Sequence, residues 1–152
     1  MKTVDISSKE VQFLNYNKYS FNTKKEENAE FKVKSGIELH TNIKEHKKNL
    51  KKKLCTVEIS IEEFIFNTVS DIEHLFRDFS LKIIYYTECT DEILSEDEKY
   101  YLFYYLLEDV KTMVNEYTNK DKVPPIKMNN FMMNFKKDKK ISEKPILTIN
   151  MV

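Results

Sequence analysis

The sequence predicts an α+β fold: a four-stranded antiparallel sheet covered on one face by a long C-terminal helix and a short second helix. Three observations predict it. Apolar residues alternate with polar ones along most of the first 90 residues, the period of a half-buried strand. After Cys89 the period changes to that of a helix. A proline pair, Pro124–Pro125, then separates the long helical stretch from a short one. Strands first and helices after them give an α+β arrangement.

The first strand is expected in VQFLNYNKYSF, residues 11–21, where Asn15 and Asn17 interrupt the inward set. The second, FKVKSGIELHTNI (31–43), puts Phe31, Val33, Ile37, Leu39 and Ile43 on one face and Lys32, Lys34, Glu38, His40 and Asn42 on the other. The third, LCTVEISIEEFIF (54–66), points Cys55, Val57, Ile59 and Ile61 inward. Its apolar parity then flips at Glu62–Glu63, which predicts a bulge or a strand end there. The fourth, SLKIIYYTEC (80–89), is apolar on both faces at its centre, so cover is expected on both sides. KEHKKNLKKK (44–53) reads as a charged hairpin loop, its lysines solvated and opposing aggregation. NTVSDIEHLFRDF (67–79) is expected to hold a short helical turn capped by Ser70 or Asp71.

Ser95 and Glu98 have the spacing of a capping box, and Glu96 and Asp97 suit the positive end of a helix dipole. A helix from there to about Asn119 contains the run YYLFYYLL, residues 100–107. At 100° per residue, Phe103, Leu106, Leu107, Val110, Met113, Val114 and Tyr117 share an arc within about 80° of Phe103, which is the face for the sheet. Tyr100 and Leu102 lie at its edges. Tyr101, Tyr104 and Tyr105 fall on the opposite face with Glu108, Thr112 and Asn115. Three tyrosines on adjacent turns away from the core predict a second interface, because tyrosine buries a large body while its hydroxyl stays satisfied. NNFMMNFKK (129–137) is a short second helix, capped by Asn129 or Asn130. One domain is expected over residues 1–152, with a core of about 11–135 and a flexible tail of about 136–152, though KPILTINMV also has the pattern of a last strand.

Composition narrows the function. Charged residues make up 33% of the chain and cancel to a formal net charge of +0, which argues against a globally basic nucleic-acid binder. No leader-like apolar stretch is seen near the N-terminus, and the longest apolar run is far below the roughly 20 residues a membrane helix needs, so a cytoplasmic protein without membrane insertion is expected. The single glycine, Gly36, leaves no phosphate-cradling loop, and no CxxC or HExxH is present. His40, His46 and His74 lack partners at metal-ligand spacing, so no metal and no cofactor are expected. The remaining catalytic arrangement is a Cys–His pair formed in space from Cys55 or Cys89 with His40 or His74. Neither cysteine has a nucleophile's surroundings in sequence, so no catalytic residue is assigned and an enzyme is not expected.

The order of elements and several short stretches resemble the SecB export chaperones and their SecB-like relatives. VQFLNYNKYSFNT is similar to the family's first strand, with Tyr16 and Ser20–Phe21 at its aromatic and Ser-Phe positions. Val123, Pro124, Ile126, Met128, Asn130 and Phe131 stand where the family has its extended Phe-Pro-x-Leu-x-Leu segment and the Asn-Phe that opens the last helix. The family's glycine pair in the fourth-strand region and its proline before Asn-Phe are absent, and Asn22 replaces its glutamate. The resemblance implies an ATP-independent holdase that binds unfolded or nascent polypeptides in apolar grooves and assembles as a dimer or a dimer of dimers. Phe21, Phe31, Val33 and Ile126 would line such a groove. So would Met128, Phe131, Met132, Met133 and Phe135, whose methionines suit promiscuous binding. Tyr101, Tyr104 and Tyr105, with Phe13 and Tyr16, would form the oligomer interface. Export members dock the SecA motor on an acidic sheet face; here Lys32 and Lys34 occupy the presumed outer face, which counts against SecA.

Three readings stay open on the sequence: a holdase in protein export or guarding a specific client such as an antitoxin; a dedicated protein–protein interaction module with one partner; and, less favoured, nucleic-acid binding through the Lys44–Lys53 loop.

Overall fold

A computed structural model describes residues 2–19, 30–45, 52–69, 71–90, 94–118 and 128–151. The strands are β1 (Lys2–Lys18), β2 (Glu30–Glu45), β3 (Lys52–Val69) and β4 (Ile72–Thr90). Helices α1 (Glu96–Thr118) and α2 (Met128–Asp138) follow, and the chain returns as β5 (Leu147–Met151). The five strands form one sheet in the order β2-β3-β4-β1-β5. The α+β class thus holds, with a fifth strand added at one edge. β5 runs parallel to β1, pairing Lys2 with Leu147 through to Ile6 with Met151. Residues 136–151 are therefore not simply a loose tail: they carry the end of α2 and an edge strand with buried Leu147.

The chain divides into two compact units. One comprises Met1–Ser8, Asn42–Cys55 and Tyr86–Val152; the other comprises Lys9–Thr41 and Thr56–Tyr85.

The core of the second unit is strand-built. Val57, Ile59, Ile61 and Ile65 of β3 are buried with Phe79, Leu81, Ile83 and Tyr85 of β4. The predicted parity flip at Glu62–Glu63 does not occur. Glu63 takes an inward position between Ile61 and Ile65, and β3 keeps its phase through Asn67. What makes this possible is Arg77 of β4. Its guanidinium donates to Glu63 Oε1 from Nη2 at 2.7 Å and from Nε at 3.1 Å, and both side chains are almost completely buried. Burial pushes the Glu63 carboxyl above its ordinary range, opposed by the hydrogen bonds and charge of Arg77. Phe64 and Phe66 are half-buried on the alternate face, where the Lys34 ammonium lies 5.2 Å from the Phe66 ring centre.

The expected helical turn in 67–79 is absent. β3 ends at Val69 and β4 begins at Ile72, a connection so short that the two strands must run antiparallel. Asp71 sits at φ 64°, a left-handed conformation that Asp tolerates better than most residues. The inward set of β1 is also the opposite of that expected. Tyr16 packs edge-on against buried Phe79, with ring centres 6.2 Å apart. Asn15 points to the other face, where its amide donates to Asp78 Oδ2 at 3.4 Å. The asparagines therefore interrupt nothing. β1 also begins nine residues earlier than expected, and Val4 and Ile6 are buried in the first unit.

In the first unit, α1 buries Leu102, Phe103, Leu106, Leu107, Val110 and Val114. The apolar stripe is the predicted one, extended through Leu102, while Tyr117 is exposed. The capping box forms: Glu98 N–H donates to Ser95 Oγ at 3.2 Å and Ser95 N–H to Glu98 Oε1 at 3.0 Å. Lys2 of β1 reaches the same carboxylate at 2.8 Å. Burial pushes the Glu98 pKa up, but the Lys2 and Ser95 hydrogen bonds outweigh it and hold the carboxyl below its ordinary value. α2 starts at Met128, so Asn129 and Asn130 lie in its first turn rather than capping it. No helix among the described residues is long and apolar enough to cross a membrane.

Two outcomes follow from these contacts. Arg77→Met leaves the Glu63 carboxylate buried without its cation and is expected to lower unfolding free energy by about 3–5 kcal/mol, whereas Glu63→Leu/Arg77→Met together cost far less; denaturant titration of both variants checks this. Glu98→Ala removes the box and the Lys2 pair and is expected to cost about 1 kcal/mol near neutral pH. Because the folded-state Glu98 pKa is depressed, that stabilisation is present above the ordinary value of 4.5 and disappears as pH falls through the folded pKa, so the two unfolding curves should converge in acid.

Candidate functional site

Two surfaces expose apolar side chains that the core does not use. The first is the outer part of β1 in the second unit. β5 pairs with β1 only as far as Ile6, so beyond it β1 has β4 on one side and no described strand on the other. On this stretch Val11, Phe13 and Leu14 are exposed, Phe13 by 53%. Successive strand residues point to opposite faces, so Phe13 and Leu14 flank the open backbone edge from both sides. Such an edge presents N–H and C=O groups ready to pair with another strand. The sequence marked Phe13 and Tyr16 in this region; Tyr16 turns inward onto Phe79, while Phe13 is exposed.

The second surface is a cleft in the first unit. Tyr101, Tyr104, Tyr105 and Glu108 stand at successive turns along one strip of α1. Facing them are Lys136 from the last turn of α2 and Ile141, Ser142 and Glu143 beyond it, around a volume of about 190 Å³. Lys136 lies 5.7 Å from the Tyr104 ring centre and Lys139 lies 4.9 Å from that of Tyr100. Tyr100 in turn meets Phe135 edge-on at 6.1 Å. Tyr101 and Tyr104 are half-buried and Tyr105 is 37% exposed. The face opposite the apolar stripe is therefore partly furnished by the chain's own C-terminal segment. Lys136 and residues 141–143 had no signal in the sequence, because only the turn after α2 brings them here.

The expected apolar groove residues separate into groups. Met128, Met132 and Phe135 are buried in the first unit. Phe131 is half-buried and stacks on Phe135 with ring centres 6.3 Å apart, and Met133 is 68% exposed. Phe31 and Val33 belong to β2, but their side chains, like the whole of Phe21 and Ile126, lie outside the described residues. So do His46, Lys47, Lys48 and Lys51 of the lysine-rich loop.

The groups that act on the two thiols are each other, Thr87, Lys99 and Glu98, with no histidine among them. Cys55 and Cys89 are buried neighbours on β3 and β4. A hydrogen bond from Cys89 draws the Cys55 thiol down to about 7 against burial, and Thr87 adds to it; the same bond and burial push Cys89 up. Thr87 Oγ1 also donates to the Cys55 carbonyl at 2.8 Å. His40 lies 3.5 Å from Glu38 on β2. Among the described residues no cluster of His, Cys, Asp and Glu side chains is placed to hold a metal ion.

No protein-family model and no curated protein sequence matches the chain. Solved structures do. The SecB-like chaperone Rv1957 of Mycobacterium tuberculosis, in complex with a ChAD peptide from the HigA1 antitoxin, superposes with a TM-score of 0.56 at 11% identity, covering 82% of this chain and 88% of that one. A protein of unknown function from Streptococcus agalactiae superposes with a TM-score of 0.51 at 19% identity, covering 83% of this chain and 96% of that one. The chain has the SecB-like fold.

The two faces of α1 differ in what they contribute to stability. Phe103→Ala empties a buried site and is expected to cost about 3–5 kcal/mol. Tyr105→Ser, on the cleft side, is expected to change stability by less than about 0.5 kcal/mol. Thermal unfolding of the two variants side by side tests the division.

Proposed function

We propose that this chain is an ATP-independent, cytoplasmic polypeptide-binding chaperone that holds a specific client in an unfolded or extended form. The observation that carries the reading is the SecB-like fold, shared over most of both chains with a chaperone bound to an antitoxin peptide. A second feature supports it. A holdase needs apolar surface left over after its own core is built, and this chain exposes Val11, Phe13 and Leu14 on β1, with Met133 on α2. Methionine suits such a surface because its flexible, polarisable side chain adapts to different partners.

The open edge of β1 further supports assembly of the chain with itself. A two-fold axis beside β1 would continue the sheet from one copy into the next and would cover Phe13 and Leu14. The neutral chain and the exposed Lys32 and Lys34 on β2 favour a dedicated client over docking to the SecA motor.

The test is suppression of aggregation. Added at near-stoichiometric ratio to a chemically unfolded protein, the chain is expected to reduce light scattering without nucleotide; undiminished scattering, for general substrates and for extended antitoxin-like peptides alike, would sink the reading. In parallel, solution mass of the wild type is expected to exceed that of one chain. Phe13→Asp, placing a charge beside the β1 edge, should shift it toward the monomer.

A further inference from the structure

We infer that the cleft between α1 and the segment after α2 is a receptor for an arginine side chain of a partner polypeptide. Its size sets the first limit. About 190 Å³ is below the roughly 300–1,000 Å³ of small-molecule pockets, but it is room for one large side chain. Its lining sets the second. Three tyrosines line it, Tyr104 with its ring face toward the Lys136 ammonium, and none of their hydroxyls hydrogen bonds to any described residue. The Glu108 carboxylate likewise has no partner among the described residues, since the one hydrogen bond at Glu108, from Thr112, goes to its backbone carbonyl. Glu143 is held only loosely, 3.7 Å from Lys136. The cleft therefore offers ring faces, hydroxyls and carboxylates, with two carboxylates against one ammonium.

That combination selects among side chains. An apolar residue would meet the rings but leave the carboxylates of Glu108 and Glu143 unused. A cation is already accepted on this wall, because the chain's own Lys136 sits over Tyr104. Between the two cations, a guanidinium fits better. It is planar and stacks on a tyrosine face while its five N–H donors reach outward to carboxylate and hydroxyl oxygens at the rim. An ammonium makes only point contacts.

The source of the arginine follows from composition. Arg77 is the only arginine of this chain, and it is completely buried and bound to Glu63. A second copy has none to offer, so the occupant is a different polypeptide. This inference rests on the reading that the chain binds polypeptides and adds the chemistry of one anchor.

The experiment uses the full chain with ¹³C-labelled tyrosine rings, titrated with the blocked tripeptide glycyl-arginyl-glycine and with the same peptide carrying citrulline, lysine or phenylalanine. With arginine, ring signals of Tyr101, Tyr104 and Tyr105 should shift. Citrulline has the same shape without the charge and should bind at least about threefold more weakly, as should the arginine peptide on Glu108→Gln. Tyr105→Ala should weaken it further. Equal binding of citrulline or phenylalanine peptides, or no shift with arginine, would overturn the assignment. So would ring shifts that track protein concentration alone, which would make the face a contact between copies. A chain that suppresses aggregation yet ignores the arginine peptide keeps the chaperone reading and loses this one.

Discussion

The fold depends on a constraint of strand geometry. A strand of 18 residues such as β3 offers alternate residues to the core, and it cannot change face midway without a bulge that breaks pairing. From Cys55 to Asn67 the inward set runs unbroken, so position 63 must face inward whatever residue stands there. Glutamate in that place would be untenable alone. Arg77, arriving from the neighbouring strand with two hydrogen bonds, makes it tolerable. A pair of this kind adds little net stability over apolar residues of the same size, but it makes any slip of β3 against β4 strongly unfavourable, because slipping would separate two buried charges. It acts as a register pin for the two longest strands.

The same pair explains where the sequence misled. Read alone, Glu62–Glu63 followed by Phe64 and Phe66 is a phase change, because periodicity assigns charged residues to water. The partner that reverses this lies 14 residues away and is visible only after folding. The asparagines of β1 misled in the complementary way. Asn15 and Asn17 look like breaks in an inward set, yet the inward residue of this stretch is Tyr16, and Val11 and Phe13, which share the asparagines' parity, are exposed. Local period was sufficient for elements whose burial is one-sided: the α1 stripe and its capping box were legible, as was the alternation of half-buried Ile37 and Leu39 with exposed Glu38 and His40 on β2. It failed where a strand spends apolar residues on an edge. Of the cleft, the tyrosine strip on α1 was legible as a surplus; its other wall was not, since Lys136 and residues 141–143 reach it through a turn in which Lys140 takes φ 52°.

α1 shows how one helix serves two purposes. Its buried arc supplies more of the first unit's apolar core than any other described element, and packing there tolerates little change. Its other arc carries polar-tipped aromatics that remain soluble when uncovered. The lysines near the end of α2 reinforce this by lying over Tyr100 and Tyr104, which covers ring faces without removing the hydroxyls from water. A helix so arranged keeps its fold independent of whether the second arc is occupied. That independence is what a binding surface needs if the protein is to be stable both empty and loaded.

The placement of β5 carries the argument to the sheet's edge. An exposed strand edge is a hazard, and chains normally blunt it with charge, a bulge or a covering segment. Here β5 covers five residues of β1, from Lys2 to Ile6, and stops. It protects the part of β1 whose side chains, Val4 and Ile6, belong to the core, and leaves the part whose side chains, Phe13 and Leu14, do not. If the edge were merely a liability, the covering would be needed most where apolar residues flank it, at positions 11 to 14. It is absent from that stretch among the described residues. Among the described residues, then, the buried Val4 and Ile6 of β1 lie where β5 pairs with it, and the exposed Val11, Phe13 and Leu14 lie where β5 does not reach.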